Sequence, residues 1–295
     1  MDAHAAATRT PGRDVDRPVR PAAPPKWPAT AAWLGAAILV VVCVWLVDAN
    51  WTRLLGLPEA VLRYADLLSQ GLFLNPFQDP QTEWWTVAFG FMLDSVTIAW
   101  IGTLIGAVLS LPLGFLAARN VAPAWIVAIA RTILNVVRAI PEFILAIVFL
   151  LPLWGFHPAA GAIALGIGSV GTLGKLTSEA IEGLRPGPVE ALRAAGAGQL
   201  AVLRWGMLPQ VLPEIIAFWL YRFEINIRAG AILGALGLGG IGFLLEQLFN
   251  GREWARLGVA LVVTIVVTIV VDQISAVVRH RIIGDDIGEG RATAV

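Results

Sequence analysis

The 295 residues are 57% hydrophobic and only 14% charged, with a mean hydropathy of +0.75, whereas about a quarter of residues are charged in ordinary soluble domains. This is the composition of an integral membrane protein. The 21 Lys and Arg against 21 Asp and Glu leave no net charge, which excludes a basic nucleic-acid binder; one cysteine, Cys43, and three scattered histidines exclude a disulfide framework and a zinc motif.

Residues 1–26 are rich in Pro, Ala, Arg and Asp without apolar periodicity. They cannot offset the entropy of ordering a chain, so a disordered cytoplasmic tail is expected. No charge appears over 27–47, enough at about 1.5 Å per residue to cross a hydrocarbon core of roughly 30 Å. This first span is too long for a signal peptide and lacks a cleavage site, so it is expected to remain as an anchor. Residues 48–84 mix charges with a Pro/Asn cluster and read as an extracytoplasmic loop with a short helix.

Five further spans follow over 85–280. The second is uncharged between Asp94 and Arg119, and its Gly102 and Gly106 form a small-xxx-small pair that admits a close neighbour. The third runs from Trp125 to Trp154 and breaks at Gly155–Pro158, and the fourth covers Ala159 to Glu182. A polar segment, Gly183 to Trp205, precedes a fifth span that continues to Leu245 through a glycine-rich break at Gly234–Gly242. Leu257 to Val278 is the sixth, and 281–295 is a second cytoplasmic tail. The fold class is all-α integral membrane with six transmembrane helices. Basic residues concentrate in the N-terminal tail, the loop after span two, the 183–205 segment and the C-terminus, which places both termini in the cytoplasm. Tryptophans near span ends, among them Trp27, Trp84, Trp154 and Trp254, read as interface anchors.

The polar segment contains Glu190-Ala191-Leu192-Arg193-Ala194-Ala195-Gly196 and, nine residues on, Gly206-Met207-Leu208-Pro209. Pro186 and Pro188 favour an abrupt helix start, and Gly196 and Gly198 a turn. The pattern resembles the EAA loop of bacterial ABC importer permeases at Glu190, Ala191, Gly196, Leu208 and Pro209. Leu192 and Gly206 stand where that loop has alanine and isoleucine. Leu113–Asn120, Arg138-Ala-Ile-Pro-Glu142, Gly174-Lys175, Pro186–Arg193 and Tyr221–Arg228 are similar to the PhnE-type permease of phosphonate importers, a MetI-like member of the binding-protein-dependent transport inner-membrane family. The likeness covers roughly 85–280.

That resemblance implies a type I importer core in the bacterial inner membrane, with 186–209 as two short cytoplasmic helices seated in an ATPase cleft. It implies a homodimer, a cytoplasmic ABC ATPase dimer and an extracytoplasmic substrate-binding protein as partners, with alternating access driven by ATP. ATP and Mg belong to the partner ATPase; the chain has no GxxxxGK[ST] loop. No catalytic residue, metal or cofactor is expected on this chain. Gly237-Leu-Gly239-Gly240-Ile-Gly242 satisfies GxGxxG but lies in a membrane run with no strand before it. These glycines are expected instead to break a closely packed helix near the outer mouth, part of a gate by the same resemblance. The alternatives are an importer for another small solute, a secondary transporter or channel, which lacks its usual internal repeat here, and a membrane enzyme, which lacks a nucleophile and base.

Charges inside the spans need partners, water or a function. Glu224 and Arg228 are spaced for an i,i+4 pair, whereas Arg222 has no acid at i±3 or i±4. Arg222, with Arg228 and Asn226, is therefore the candidate for lowering the barrier to an anionic substrate, because a guanidinium keeps its charge and matches phosphorus oxyanions. Glu142 and the Lys175/Glu179 pair are candidates for structural ion pairs.

Overall fold

The computed structural model describes residues 27–47, 51–73 and 79–292. The expected disordered tail at 1–26, most of the Pro/Asn cluster and the last three residues lie outside the described residues. The chain divides into two compact units, 1–58 and 59–295. In the first, α1 (Trp27–Leu46) is an unbroken 20-residue apolar helix, as the uncharged run dictates, followed by a 3-10 turn at Trp51–Gly56.

The second unit is a helical bundle that follows α2 (Leu57–Phe73), which begins at the unit boundary. Its helices are α3 (Gln81–Ala117), α4 (Ala124–Ala139), α5 (Glu142–Trp154), α6 (Pro158–Glu182), α7 (Pro186–Ala194), α8 (Gln199–Leu238), α9 (Ile241–Asn250) and α10 (Trp254–Ala292). Among the described residues α1, α3, α6, α8 and α10 are long and apolar enough to cross a membrane, which gives five spans, or six where the bent pair α4–α5 is counted as one.

α6 is the centre of the bundle, with α3, α4 and α8 packed on it and α10 laid against α3 and α8. Lipid offers no hydrophobic drive between helices, so association rests on close van der Waals contact. The α3–α6 seam shows it: a methyl added at Gly106 would lie 2.5 Å from Ser169 Cβ, and one added at Gly114 2.7 Å from Thr177 Cγ2. α2 is the short helix expected before the core. It docks on the start of α10 by backbone contact at Gly71–Ala255 and Leu68–Gly258, with the Tyr64 ring edge-on to Trp254 at 5.2 Å.

Three features differ from the spans read in the sequence. The third span bends by 86° between α4 and α5. Ile140 (ψ 115°) and Pro141 (ψ 139°) are extended; the proline ring disfavours the helical region for Ile140, the residue before it. The segment after the Gly196 turn does not form a separate second coupling helix. It runs into the fifth span through a π turn at Val202–Met207, which widens the helix just before Pro209; a similar widening at Ala146–Leu150 precedes Pro152. Proline supplies no N–H and crowds the carbonyl four residues back, and a π turn relieves both. Finally α10 does not stop near Val278 but continues to Ala292, and no proline interrupts it.

Candidate coupling and translocation site

The coupling half lies at one end of the bundle. α7 starts at Pro186, where a missing N–H costs nothing. It ends in a Schellman turn: Gly196 N–H donates to the Arg193 carbonyl and Ala197 N–H to the Leu192 carbonyl, both at 3.0 Å, and Gly196 takes φ +77°. That left-handed conformation favours glycine. The buried face of α7 is Val189, packed with Val202 and Met207 and flanked by Val121, Leu184, Leu192 and Leu203. Glu190, Ala191, Gly196 and Pro209 remain exposed, and Leu208 is half-buried. The two departures from the EAA pattern meet each other, because a methyl added at Gly206 would lie 2.9 Å from Leu192 Cδ1. A larger side chain on α7 fits where α8 has a smaller one.

The loop joining α3 to α4 ties this end together. Arg119 N–H and the Arg131 guanidinium both donate to Glu182 Oε1, at 2.7 and 2.6 Å, and Asn120 Nδ2 donates to the Ile181 carbonyl at 2.7 Å. Above it, between α4 and α6, a cavity of about 220 Å³ is lined by Arg131, Asn135, Lys175, Ser178, Glu179 and Glu182. Lys175 and Glu179 form an exposed pair at 3.6 Å.

At the centre of the bundle the structure gives Arg222 a partner that sequence spacing did not. It pairs with Glu142, at the start of α5, and its Nε donates to Ser169 Oγ at 2.9 Å. Arg222 is 7% exposed, so the expectation that it stays free toward a pathway is corrected: its charge is spent on Glu142. Asn226, fully buried, donates to Thr103 Oγ1 at 2.9 Å and Ser169 Oγ at 3.1 Å. The expected Glu224–Arg228 pair is also replaced. Glu224 meets Arg279 and Arg228 meets Asp272, because α10 packs against α8 and brings its own charges to the same face. Ser169 and Thr103 gave no signal in the sequence. Asp272, the one charged residue within 257–278 and seven residues before Arg279, is the signal that could have found the α10 partners.

At the other end Gly237, Gly239 and Gly240 take φ of +90°, +88° and +73°, ending α8 and starting α9. Side chains fill the space around the three: methyls there would meet Phe156, Pro158 and Ser95. Ser95 Oγ accepts the Ile241 N–H at 2.7 Å, satisfying a donor at the start of α9. Gly242 lies under the Ala231 carbonyl, with room for no methyl, 1.8 Å from that oxygen. A groove of about 480 Å³ opens beside this break between α3 and α6, its lining including four isoleucines together with Asp94 and His157. Among the described residues no group of His, Cys, Asp and Glu gathers as a metal site.

Residues 110–284 match the family described as binding-protein-dependent transport system inner membrane component. The chain is 41% identical over 194 residues to the phosphate-import permease protein PhnE of Mycolicibacterium smegmatis, which covers 64% of this chain and 36% of that one. It is 41% identical over 189 residues to the phosphite transport system permease protein PtxC of Stutzerimonas stutzeri, 64% of this chain and 68% of that one. The match thus spans about a third of the first relative and two thirds of the second. A chain of the inward-facing MetNI methionine ABC transporter superposes with a TM-score of 0.62 at 20% identity, covering 70% of this chain and 99% of that one. At that identity the likeness establishes the fold alone.

Proposed function

The chain belongs to the binding-protein-dependent transport system inner membrane components, and from that premise we propose that it is the permease subunit of an ATP-driven importer of phosphorus oxyanions. Phosphonate, phosphite and phosphate present the same oxygens, and the similar permeases carry phosphate and phosphite in their names. The observation that carries the reading is α7: a short helix, sharply started by Pro186 and closed by Gly196, packed on the bundle by one face and exposing Glu190 and Ala191 on the other. A partner ATPase that grips such a helix moves the α3–α4 loop and the base of α8 with it, since all three share one apolar cluster. Nucleotide and Mg stay on that partner.

Two copies of this chain enclose the pathway, with both termini and α7 in the cytoplasm. A binding protein delivers the anion at the opposite end, where the Gly237–Gly242 break forms the gate. The Arg222–Glu142–Asn226 cluster and the Arg228–Asp272 pair hold the spans in register around the pathway. The test is reconstitution with an ABC ATPase and a phosphorus-oxyanion binding protein. ATP-dependent uptake of phosphate, phosphite or methylphosphonate is expected, and Gly196→Leu is expected to lose the ATPase on co-purification. Uptake that proceeds without any ATPase would overturn the reading.

A further inference from the structure

Basic side chains inside the spans are matched by acids almost throughout: Arg131 by Glu182, Lys175 by Glu179, Arg222 by Glu142, Arg228 by Asp272 and Arg279 by Glu224. Arg138 is different. It is exposed, and it makes no hydrogen bond or ion pair among the described residues. Its depth is fixed by α6. A methyl added at Gly171, near the midpoint of the 25-residue α6, would lie 2.8 Å from Arg138 Cβ. One turn along, Gly168 accepts the side chain of Glu142, and Gly174 on the other side accepts Leu134. Three glycines on one face of α6 thus bed the α4–α5 bend and hold Arg138 level with the middle of α6, a helix long enough to cross a membrane.

An unpaired guanidinium at that depth is strongly disfavoured against lipid, and such groups face water or protein. The Arg222–Glu142 pair beside it is neutral, so the local field at the bend is that of Arg138. We infer that Arg138 is the anion-contacting cation of the translocation pathway, and that the α4–α5 bend is the wall that presents it to the phosphorus oxyanion. This rests on the importer reading above. Five fixed donors and a charge that persists at any working pH suit a tetrahedral oxyanion, and one exposed group binds weakly enough to let it leave. Arg138 also sits in the last turn of α4, where a cation stabilises the helix end, and the experiment separates the two roles.

The only cysteine, Cys43, is replaced by serine, and Arg138→Cys is introduced into the complete transporter in proteoliposomes. The variant is expected to retain its ATPase subunit and hydrolyse ATP while uptake of inorganic phosphate or phosphite falls by about tenfold or more. Modification with a water-soluble cationic thiosulfonate should recover uptake, and the anionic reagent should not. Uptake within about twofold of the Cys43→Ser parent, or a thiol at 138 unreactive to both reagents with and without ATP, overturns the inference. If Arg138→Cys fails to assemble, Arg138→Gln keeps the aliphatic stem; failure of that variant as well assigns Arg138 to the helix end and overturns it too. A parent that takes up none of these anions defeats the importer reading instead, and reactivity at 138 then decides whether the bend faces water.

Discussion

In the coupling segment the bonds that set the geometry join near neighbours, Gly196 to Arg193 and Ala197 to Leu192. At the bundle centre they join residues far apart, Arg222 to Ser169 across 53 positions and Asn226 to Thr103 across 123. The first is a local device, folded by its own prolines and glycine and attached through one small apolar cluster. The second ties α3, α5, α6 and α8 together in a medium where an unpaired polar group has no water to turn to. The proposed rocking of the permease would move the first as a handle about the second as a hub, and the two should respond differently to substitution.

The largest effect is expected at the hub. Arg222→Ala leaves Glu142 without its partner and removes one of the two donors to Ser169 Oγ, a loss on the order of 3 kcal/mol for breaking a buried pair. The double change Arg222→Met with Glu142→Leu removes both charges and should recover most of that loss. Denaturant unfolding in mixed micelles measures both. Equal destabilisation by the single and double changes would show that the pair is not what joins the spans.

Next comes the Gly237–Gly242 break, which resembles the hub in being closed by distant contacts. Gly242→Val places side-chain atoms where the Ala231 carbonyl already stands, and backbone cannot yield as a side-chain tip does. Overpacking of this kind costs about 1–3 kcal/mol. Protease nicking near Gly237 should increase. An unchanged cleavage pattern would mean that the break can relax, and that this end of the bundle behaves like the handle rather than the hub.

The same contrast explains what could be read from the residues in order. α7, its start at Pro186 and its end at Gly196 were legible because each signal and its structural effect lie within one or two turns. The five long apolar helices were legible for a similar reason, since lipid thickness acts on each run separately. The Glu142–Arg222 pair was not, because residues 80 positions apart meet only once α5 and α8 have both packed on α6. Glu224 and Arg228 show the cost of local reasoning in the centre of a bundle: the spacing was right for a pair, and α10 brought other partners. The 86° bend stood in plain view as Ile140-Pro141, yet the apolar run on both sides concealed it.

Inside the handle the expected effects are smaller. Gly206→Ile should crowd the Leu192 side chain, whose tip can shift, at a cost of about 1–2 kcal/mol. Leu192→Ala in the same chain restores the alanine and isoleucine of the EAA pattern and should return most of the loss. A double-mutant cycle on thermal stability is expected to give a coupling of about 1 kcal/mol between the two positions. Strict additivity would separate the two departures and leave their coincidence without a packing cause.

Lys175 and Glu179 make the smallest case, and the one where a drawn contact is least informative. They are on one helix, 47% and 55% exposed in their side chains and 3.6 Å apart, with the base ahead of the acid, the weaker order along a helix. Nothing distant depends on them, so neither the hub's burial nor the handle's turn geometry applies. Lys175→Ala should change stability by no more than about 0.5 kcal/mol, and added salt should not alter the difference between the variant and the parent. A loss as large as that of Arg222→Ala would mean that Lys175 is covered by a second subunit, and the cavity between α4 and α6 would then belong to the hub.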